Sequence, residues 1–143
     1  MNNTLTIIIA DDDSDDQEFL ENTIREINSN VKILPLSDGK ELMDIFWGKK
    51  QTPDPAFLQP DLIFLDLNMP LMGGYEVLKF MREDAALKSI PVFILTTSEF
   101  EYDKIKSIAY GANDFYSKPM TLKELKKIVM EIFSRHFQLA LSE

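Results

Sequence analysis

The sequence has no cysteine and no apolar run long enough to cross a membrane. The first absence excludes a disulfide framework and a thiolate metal site. The second argues against a membrane span, and the opening residues also lack the basic segment of a secretory signal. We therefore expect a cytoplasmic protein without a membrane partner.

Basic residues are also scarce, because 15 lysines and arginines stand against 24 acidic residues, for a formal net charge of −9. Proteins that bind nucleic acid directly need a basic face to contact phosphates. The charge balance therefore argues against direct nucleic-acid binding. It leaves open whether the acidic residues form a solvated surface or are concentrated to hold a cation.

The length of 143 residues predicts one domain. We expect it to span residues 1–143, with a core at about 5–133 and residues 134–143 as a helix end or tail. Within that core, short apolar runs alternate with segments of helical period, which indicates an α/β fold of (βα)₅ type. Strands buried on both faces of a parallel sheet read as such runs. The expected strands are 5–10, 31–36, 62–65, 92–95 and, more weakly, 114–117.

Four of the expected helices begin with a capping-box spacing, in which a small polar residue stands three positions before Glu or Gln. A fifth helix is expected to open at Gly73-Gly74. The capping pairs are Ser14 and Gln17, Asp38 and Glu41, Ser98 and Glu101, and Thr121 and Glu124.

One stretch, residues 48–60, fits neither pattern, because it contains three prolines. Proline removes a backbone donor and fixes φ, so we expect an extended loop there, without a regular element.

The chemistry-bearing residues follow the strands. Ligands of open parallel sheets collect at the carboxyl ends of the strands. The first expected strand is followed by Asp11 and Asp12, the third by Asp66, the fourth by Thr96 and the fifth by Lys118. The topology therefore predicts that carboxylates, a hydroxyl and an ammonium meet at one edge of the sheet.

Adjacent carboxylates repel one another, and a hard divalent cation relieves that repulsion. Mg²⁺ prefers oxygen ligands and takes one or two carboxylates together with a phosphate oxygen. Asp11, Asp12 and Asp66 can supply the carboxylates. A carboxylate can also be the nucleophile of phosphoryl transfer, with Lys118 neutralising charge and Thr96 donating a hydrogen bond.

Taken together, these residues resemble those of the receiver domain of two-component response regulators. The resemblance rests on the runs DDD, FLDLNMPLMGG, ILTT and YSKP, each at an expected strand end. It implies a CheY-like, flavodoxin-like sheet of strand order 2-1-3-4-5 with helices on both faces. The long 48–60 segment further resembles stand-alone receivers associated with phytochrome-type kinases.

The resemblance also implies roles for individual residues. Asp66 is the implied phosphoacceptor, and Mg²⁺ is held by Asp11, Asp12, Asp66 and the backbone carbonyl of Asn68. Thr96 and Lys118 contact the phosphoryl group. Thr96 and Phe115 form the implied switch pair, and the Lys118-Pro119 peptide bond is expected to be cis. The family often has Ala or Gly where this chain has Thr97, whose β-branched side chain narrows access to the site.

The implied partners are proteins. A sensor histidine kinase or a histidine phosphotransfer protein donates the phosphoryl group, and a downstream protein reads the phosphorylated state by contact. The protein is then not an enzyme beyond its own phosphorylation and dephosphorylation. A homodimer is possible if an apolar patch around Tyr110 or Phe137 is exposed.

Two alternatives remain open. A haloacid-dehalogenase-like phosphohydrolase also uses an aspartyl nucleophile and Mg²⁺, but Asn68 stands where such enzymes have their second Asp. A phosphorylation-independent interaction module would keep the fold without the switch. For single residues, Asp13, Asp15 and Asp16 fit charges that complement a helix dipole. Phe115 fits a plain core residue equally well.

Overall fold

The computed structural model describes residues 4–137 and confirms the alternation of strands and helices. Five strands and five α-helices alternate along this part of the chain. The elements are β1 (Leu5–Ala10), α1 (Ser14–Ile27), β2 (Val31–Leu36), α2 (Gly39–Phe46), β3 (Leu62–Leu65), α3 (Gly74–Glu83), β4 (Val92–Thr96), α4 (Glu101–Ala109), β5 (Asp114–Ser117) and α5 (Leu122–Phe137). The weakest expected strand, 114–117, is present as β5.

The strands form one parallel sheet in the order β2-β1-β3-β4-β5, as the resemblance implies. Every residue of β1, β3 and β4 is buried. These strands read as continuous apolar runs because helices cover both of their faces.

Two hydrophobic cores lie on opposite faces of the sheet. On one face, Leu42 of α2 and Leu78 of α3 pack with Ile8 and Ile63 of the central strands. On the other face, apolar side chains of α1 and α5 pack against alternate residues of the same strands. Because successive strand residues point to opposite faces, each central strand contributes to both cores and is held from two sides.

Two of the four expected N-cap residues cap their helices. The backbone amide of Glu41 donates to Asp38 Oδ1 at 2.7 Å, and that of Glu124 donates to Thr121 Oγ1 at 3.2 Å. Capping side chains of this kind satisfy amides that the first helical turn leaves without partners.

The other two predicted caps are wrong. Asp13 rather than Ser14 caps α1, because its carboxylate accepts from the amide of Asp16 at 3.0 Å. Phe100 stands at the N-cap of α4. Ser98 lies two residues earlier, and its hydroxyl donates to Asp103 Oδ2 at 2.6 Å. In both places a competing carboxylate decides the local geometry, and residue spacing alone does not report it.

The sequence predicted an extended loop for residues 48–60, but the segment is not entirely extended. A short 3-10 helix spans Pro55–Leu58, with Asp54 accepting from the amide of Ala56 at 2.9 Å. Proline is tolerated in the first turn of a helix, where its missing N–H has no partner to lose. Phe57 is buried in the core and fixes this segment to the body of the domain.

The loop after β3 is held by close contact with the start of α2. The amide of Gly39 donates to the carbonyl of Met72 at 3.1 Å. A side chain at position 39 would collide with that carbonyl, so only glycine allows this approach. In the same loop Leu71 has a φ of 67°. The loop that follows Asp66 is therefore fixed at a defined distance from α2.

Helix α5 extends past the expected core boundary at 133 and reaches Phe137. The remainder of the expected helix end or tail, 138–143, lies outside the described residues. None of the described helices is long and apolar enough to cross a membrane.

Arg82, near the end of α3, connects that helix to the starts of β4 and β5. Its guanidinium donates to the carbonyl oxygens of Gly111 at 2.9 Å, Ile90 at 2.9 Å and Lys88 at 3.1 Å. Burial lowers the pKa of Arg82 from its ordinary value. One side chain thus satisfies several carbonyls at the edge of the sheet opposite the acidic residues.

We expect Arg82→Met to lower the free energy of unfolding by about 2 to 4 kcal/mol, because three carbonyls lose a charged donor while the apolar stem is retained. Urea unfolding followed by circular dichroism measures the change. Arg25→Met is the matched control. It removes only an exposed ion pair with Glu21 and should change stability by about 0.5 kcal/mol or less. Equal effects of the two substitutions would contradict this assignment.

Candidate phosphoacceptor and metal site

The parallel register brings the acidic residues together. Ala10 and Leu65, the last residues of β1 and β3, are paired, so the residues that follow them are neighbours. The amide of Asp66 donates to the carbonyl of Ala10 at 2.9 Å. One carboxylate oxygen from each of Asp11, Asp12 and Asp66 lies within 4.8 Å of the others. The expected clustering of these three carboxylates is therefore present.

Two of these three carboxylates are buried. The relative exposure is 6% for Asp11 and 5% for Asp66, whereas Asp12 is exposed. Asp11 Oδ1 accepts one hydrogen bond, from the amide of Asp13 at 2.9 Å. Burial nevertheless raises the pKa of Asp11 to about 6, and the nearby Asp66 carboxylate adds to that rise. Burial thus disfavours the ionised form of Asp11.

Lys118, which follows β5, points its ammonium into this cluster. Its Nζ lies 2.8 Å from Asp11 Oδ2, 2.8 Å from Asp16 Oδ2 and 3.3 Å from Asp66 Oδ2. Burial opposes the charged form, but hydrogen bonds to Asp11 and Asp16 outweigh it and raise the pKa of Lys118. A single ammonium is therefore shared among three carboxylates. It lowers the pKa of Asp11, but burial of that carboxyl group outweighs this effect.

The expected cis bond between Lys118 and Pro119 is wrong, since no cis peptide is present among the described residues. The trans form is intrinsically favoured before proline by about 0.5 to 1 kcal/mol. Lys118 reaches the carboxylates with a trans bond, and its amide donates to the carbonyl of Thr96 at 2.6 Å.

Asp16 is the site residue that the sequence reasoning missed. We expected it to complement the dipole of α1, but its carboxylate contacts Lys118. A signal was available, because Asp16 stands four residues before the buried Leu20 and lies on the inward stripe of α1. The side chain of Asp16 is 40% exposed and reaches Lys118, whereas Asp15 is exposed to solvent.

The sequence predicted Thr96 as the first residue after the fourth strand. In the structure it is the last residue of β4. It is fully buried, and its Oγ1 has no hydrogen-bond partner among the described residues. A buried hydroxyl without a partner costs free energy. Thr96 thus has an unused donor at the edge of the sheet where the carboxylates cluster.

Phe115 lies in the core on β5, paired with Ile94 of β4 in the sheet. Its ring is buried in this structure, which fits both a core residue and the inward form of a switch residue. Its switching role stays a prediction.

The loop after Asp66 remains accessible. The amide of Asn68 donates to Asp66 Oδ1 at 3.4 Å, so the backbone at this position lies beside that carboxylate. An open groove of about 640 Å³ runs from Asn68 past Thr97 to Phe100. Thr97 is exposed and forms part of the groove wall. The groove therefore begins two residues after Asp66.

An apolar surface is exposed on α4, near one of the two positions that the sequence singled out for a dimer contact. The exposed side chains are Tyr102, Ile105, Ile108 and Tyr110. At the other position, Phe137 is half-buried and packs edge-on against Phe133. A homodimer stays a prediction.

The sheet order and the edge of carboxylates, hydroxyl and lysine define the class of receiver domains that signal in two-component systems. The family model of the response regulator receiver domain matches residues 7–130. The chain belongs to this family, which is a family of signalling domains.

Individual relatives and solved structures to which the chain is similar are also response regulators. The response regulator Rcp1 of Synechocystis is 32% identical over 128 residues, covering 90% of this chain and 86% of Rcp1. The structure of the phosphorylated cyanobacterial phytochrome response regulator RcpA has a TM-score of 0.85 at 28% identity and covers 99% of this chain and 100% of RcpA. The structure of the Mn²⁺-bound form of Rcp1 has a TM-score of 0.80 at 30% identity. It covers 97% of this chain and 99% of the Rcp1 chain. Several other relatives are longer, and the chain spans 48% of their length.

The raised pKa of Asp11 makes a prediction about stability. A carboxyl group whose pKa is raised by folding favours the folded state when protonated, so its contribution is present below about pH 4 and is lost as pH rises through about 6. Asp11→Asn stays neutral throughout. In EDTA, we expect its unfolding free energy, relative to the native sequence, to increase by about 2 to 3 kcal/mol between pH 4 and pH 7.

Urea unfolding at several pH values in EDTA measures this difference. The control is Asp15→Asn, which removes an exposed carboxylate from the first turn of α1. A pH-dependent difference of the same size in this control would contradict the assignment to Asp11. A flat difference for Asp11→Asn would show that Asp11 titrates like a solvent-exposed carboxyl group.

Proposed function

We propose that this protein is a stand-alone response regulator that accepts a phosphoryl group on Asp66 in the presence of Mg²⁺ and signals by protein contact. The observation that carries the proposal is the environment of Asp66: a buried carboxylate beside two further carboxylates and one lysine ammonium. No other cluster of three acidic, histidine or cysteine side chains suited to a metal occurs among residues 4–137.

The donor set fits a magnesium ion. It consists of oxygen atoms only, which a hard cation prefers, and its buried negative charge exceeds the single ammonium that faces it. Asp11, Asp12, Asp66 and the backbone carbonyl of Asn68 are the proposed ligands. When bound, the ion supplies positive charge to the phosphoryl oxygens. The Mn²⁺-bound structure of the relative Rcp1 supports a divalent cation in this family.

The protein's own groups perform the transfer. A carboxylate oxygen of Asp66 attacks the phosphorus of a phosphohistidine on a sensor kinase or a phosphotransfer protein. The O–P bond forms as the N–P bond breaks, and the imidazole leaves with the bond's electron pair. Lys118 balances the added negative charge, and the hydroxyl of Thr96 donates to a phosphoryl oxygen.

The output follows from the unused hydroxyl of Thr96. Phosphorylation gives its buried Oγ1 the partner that it lacks, which draws Thr96 toward Asp66 and leaves room for Phe115 to repack. The phosphoryl group thereby shifts the population toward a second conformer, limited by the contacts that differ between the two states. The surface of α4, β5 and α5 then changes for a downstream protein.

The hydrolase alternative has no support in the site. The second residue after Asp66 is Asn68, which cannot act as a general acid or base. The interaction module without phosphorylation predicts loss of at least one site residue, whereas all of them are present.

Intact-mass spectrometry after incubation with Mg²⁺ and acetyl phosphate tests the proposal. We expect one phosphate adduct on the native sequence, because Asp66 is the accepting carboxylate. Asp66→Asn and an EDTA-treated sample should show none.

Continuous release of phosphate from many phosphoesters would support the hydrolase instead. No adduct from acetyl phosphate or from a panel of sensor kinases would support the interaction module.

Thr96→Val should separate stability from switching. Without phosphate, removal of a buried hydroxyl that lacks a partner should raise the unfolding free energy by about 1 kcal/mol. On phosphorylation, the amide chemical-shift changes near Phe115 should shrink, because the connecting hydrogen bond is absent. Urea unfolding and ¹H-¹⁵N NMR spectra measure the two effects.

Thr23→Val is the matched control, since Thr23 is also buried but its hydroxyl donates to the carbonyl of Phe19 at 2.9 Å. This control should not be stabilised, and its phosphorylation shifts should be unchanged. Full-sized shifts in Thr96→Val would contradict the switching role of Thr96.

A further inference from the structure

Asp16 is a carboxylate of the site that lies outside the acidic cluster. Its Oδ2 is 2.8 Å from Lys118 Nζ, as close as that of Asp11 and closer than that of Asp66 at 3.3 Å. The cluster suited to a cation consists of Asp11, Asp12 and Asp66 and does not include Asp16. Asp16 therefore contacts the lysine without being a candidate ligand.

Because Asp16 is not a candidate cation ligand, whereas Asp11 and Asp66 are, a bound cation affects the three partners of Lys118 differently. An ammonium has three N–H donors. That of Lys118 donates to Asp16 and Asp66 and forms a close ion pair with Asp11. A cation held by the cluster competes for the oxygens of Asp11 and Asp66. The carboxylate of Asp16 is then the remaining anionic partner of Lys118 until a phosphoryl group arrives.

The surroundings offer the ammonium few other partners. A small cavity of about 30 Å³ lies here. Besides Lys118 and its partners Asp11 and Asp16, it is lined by apolar side chains of Phe19, Leu20, Leu95, Pro119 and Leu125. The side chain of Lys118 is only 13% exposed, so bulk water does not replace a lost carboxylate easily. Without Asp16, the lysine would be less closely confined beside Asp66.

We propose that Asp16 is a positioning residue for phosphoryl transfer, which holds the ammonium of Lys118 beside Asp66 while a cation engages the acidic cluster. This inference rests on the proposed function of Asp66. Asp16 touches neither the phosphoryl group nor the reacting atoms, and it acts through Lys118.

A purely structural role of Asp16 is separable from this one. As a residue of the first turn of α1, Asp16 also complements the helix dipole. Asp15 occupies the same turn with the same charge but is exposed. Asp15→Asn therefore reproduces the loss of dipole complementation and leaves the lysine contact intact.

The test is a double-mutant cycle on the rate of phosphorylation by acetyl phosphate at saturating Mg²⁺, followed by intact mass. We expect Asp16→Asn to lower the rate by about three- to tenfold, because a charged hydrogen bond to Lys118 is lost. Asp15→Asn should stay within about twofold. In a Lys118→Met background, Asp16→Asn should cause no further loss, since the residue through which Asp16 acts is already gone.

Two further measurements distinguish positioning from a change at the metal site or in the fold. The Mg²⁺ affinity of Asp16→Asn, measured by calorimetry, should stay within about threefold of the native value, because Asp16 is not a ligand. In the metal-free protein, the ¹⁵Nζ signal of Lys118 should broaden in Asp16→Asn through faster exchange with water, and should stay sharp in Asp15→Asn.

An unchanged rate in Asp16→Asn would overturn the inference while leaving Asp66 as the phosphoacceptor. A faster rate would also overturn it, because Asp16 would then compete with the phosphoryl group for the lysine. A loss that persists in the Lys118→Met background would place the effect elsewhere. Absence of any phosphate adduct on the native sequence would overturn the proposed function together with this inference.

Discussion

The structure of this site depends on one ammonium that three carboxylates share. Lys118 comes from the end of β5, and its partners come from β1, α1 and β3, so a single group joins four elements. Removing the lysine would leave buried carboxylates without compensation, which is among the more costly changes a fold can undergo. Three carboxylates nevertheless face only one positive charge, and burial raises the pKa of Asp11. We therefore expect the site to bind a further positive charge.

The fold makes this arrangement possible through its parallel register. Parallel strands end at the same edge of the sheet, so residues distant in sequence become neighbours without any long-range fitting of loops. The two cores hold β1 and β3 from both faces, and the contact of Gly39 with Met72 fixes the loop after Asp66. The rigid sheet thus holds a site in which three carboxylates share one ammonium. There, the hydroxyl of Thr96 has no hydrogen-bond partner within residues 4–137.

Much of this could be predicted because the informative patterns are local. The apolar runs of buried strands, and the polar residues directly after them, place Asp11, Asp66 and Lys118 at one edge without knowledge of side-chain geometry. The errors concern competition between side chains. The caps of α1 and α4 depend on which of several carboxylates and hydroxyls captures an amide, and the partner of Asp16 is 102 residues away in sequence. Spacing along the chain carries little information about either.

The central claim, that the acidic cluster lacks positive charge, is tested most directly by proton release on metal binding. Calorimetric titration of the protein with Mg²⁺ at pH 6, in two buffers of different ionisation enthalpy, counts the protons displaced. The pKa of Asp11 near 6 predicts release of about half a proton per ion at that pH and almost none at pH 8. Binding without proton release at pH 6, or no binding at either pH, would contradict the account.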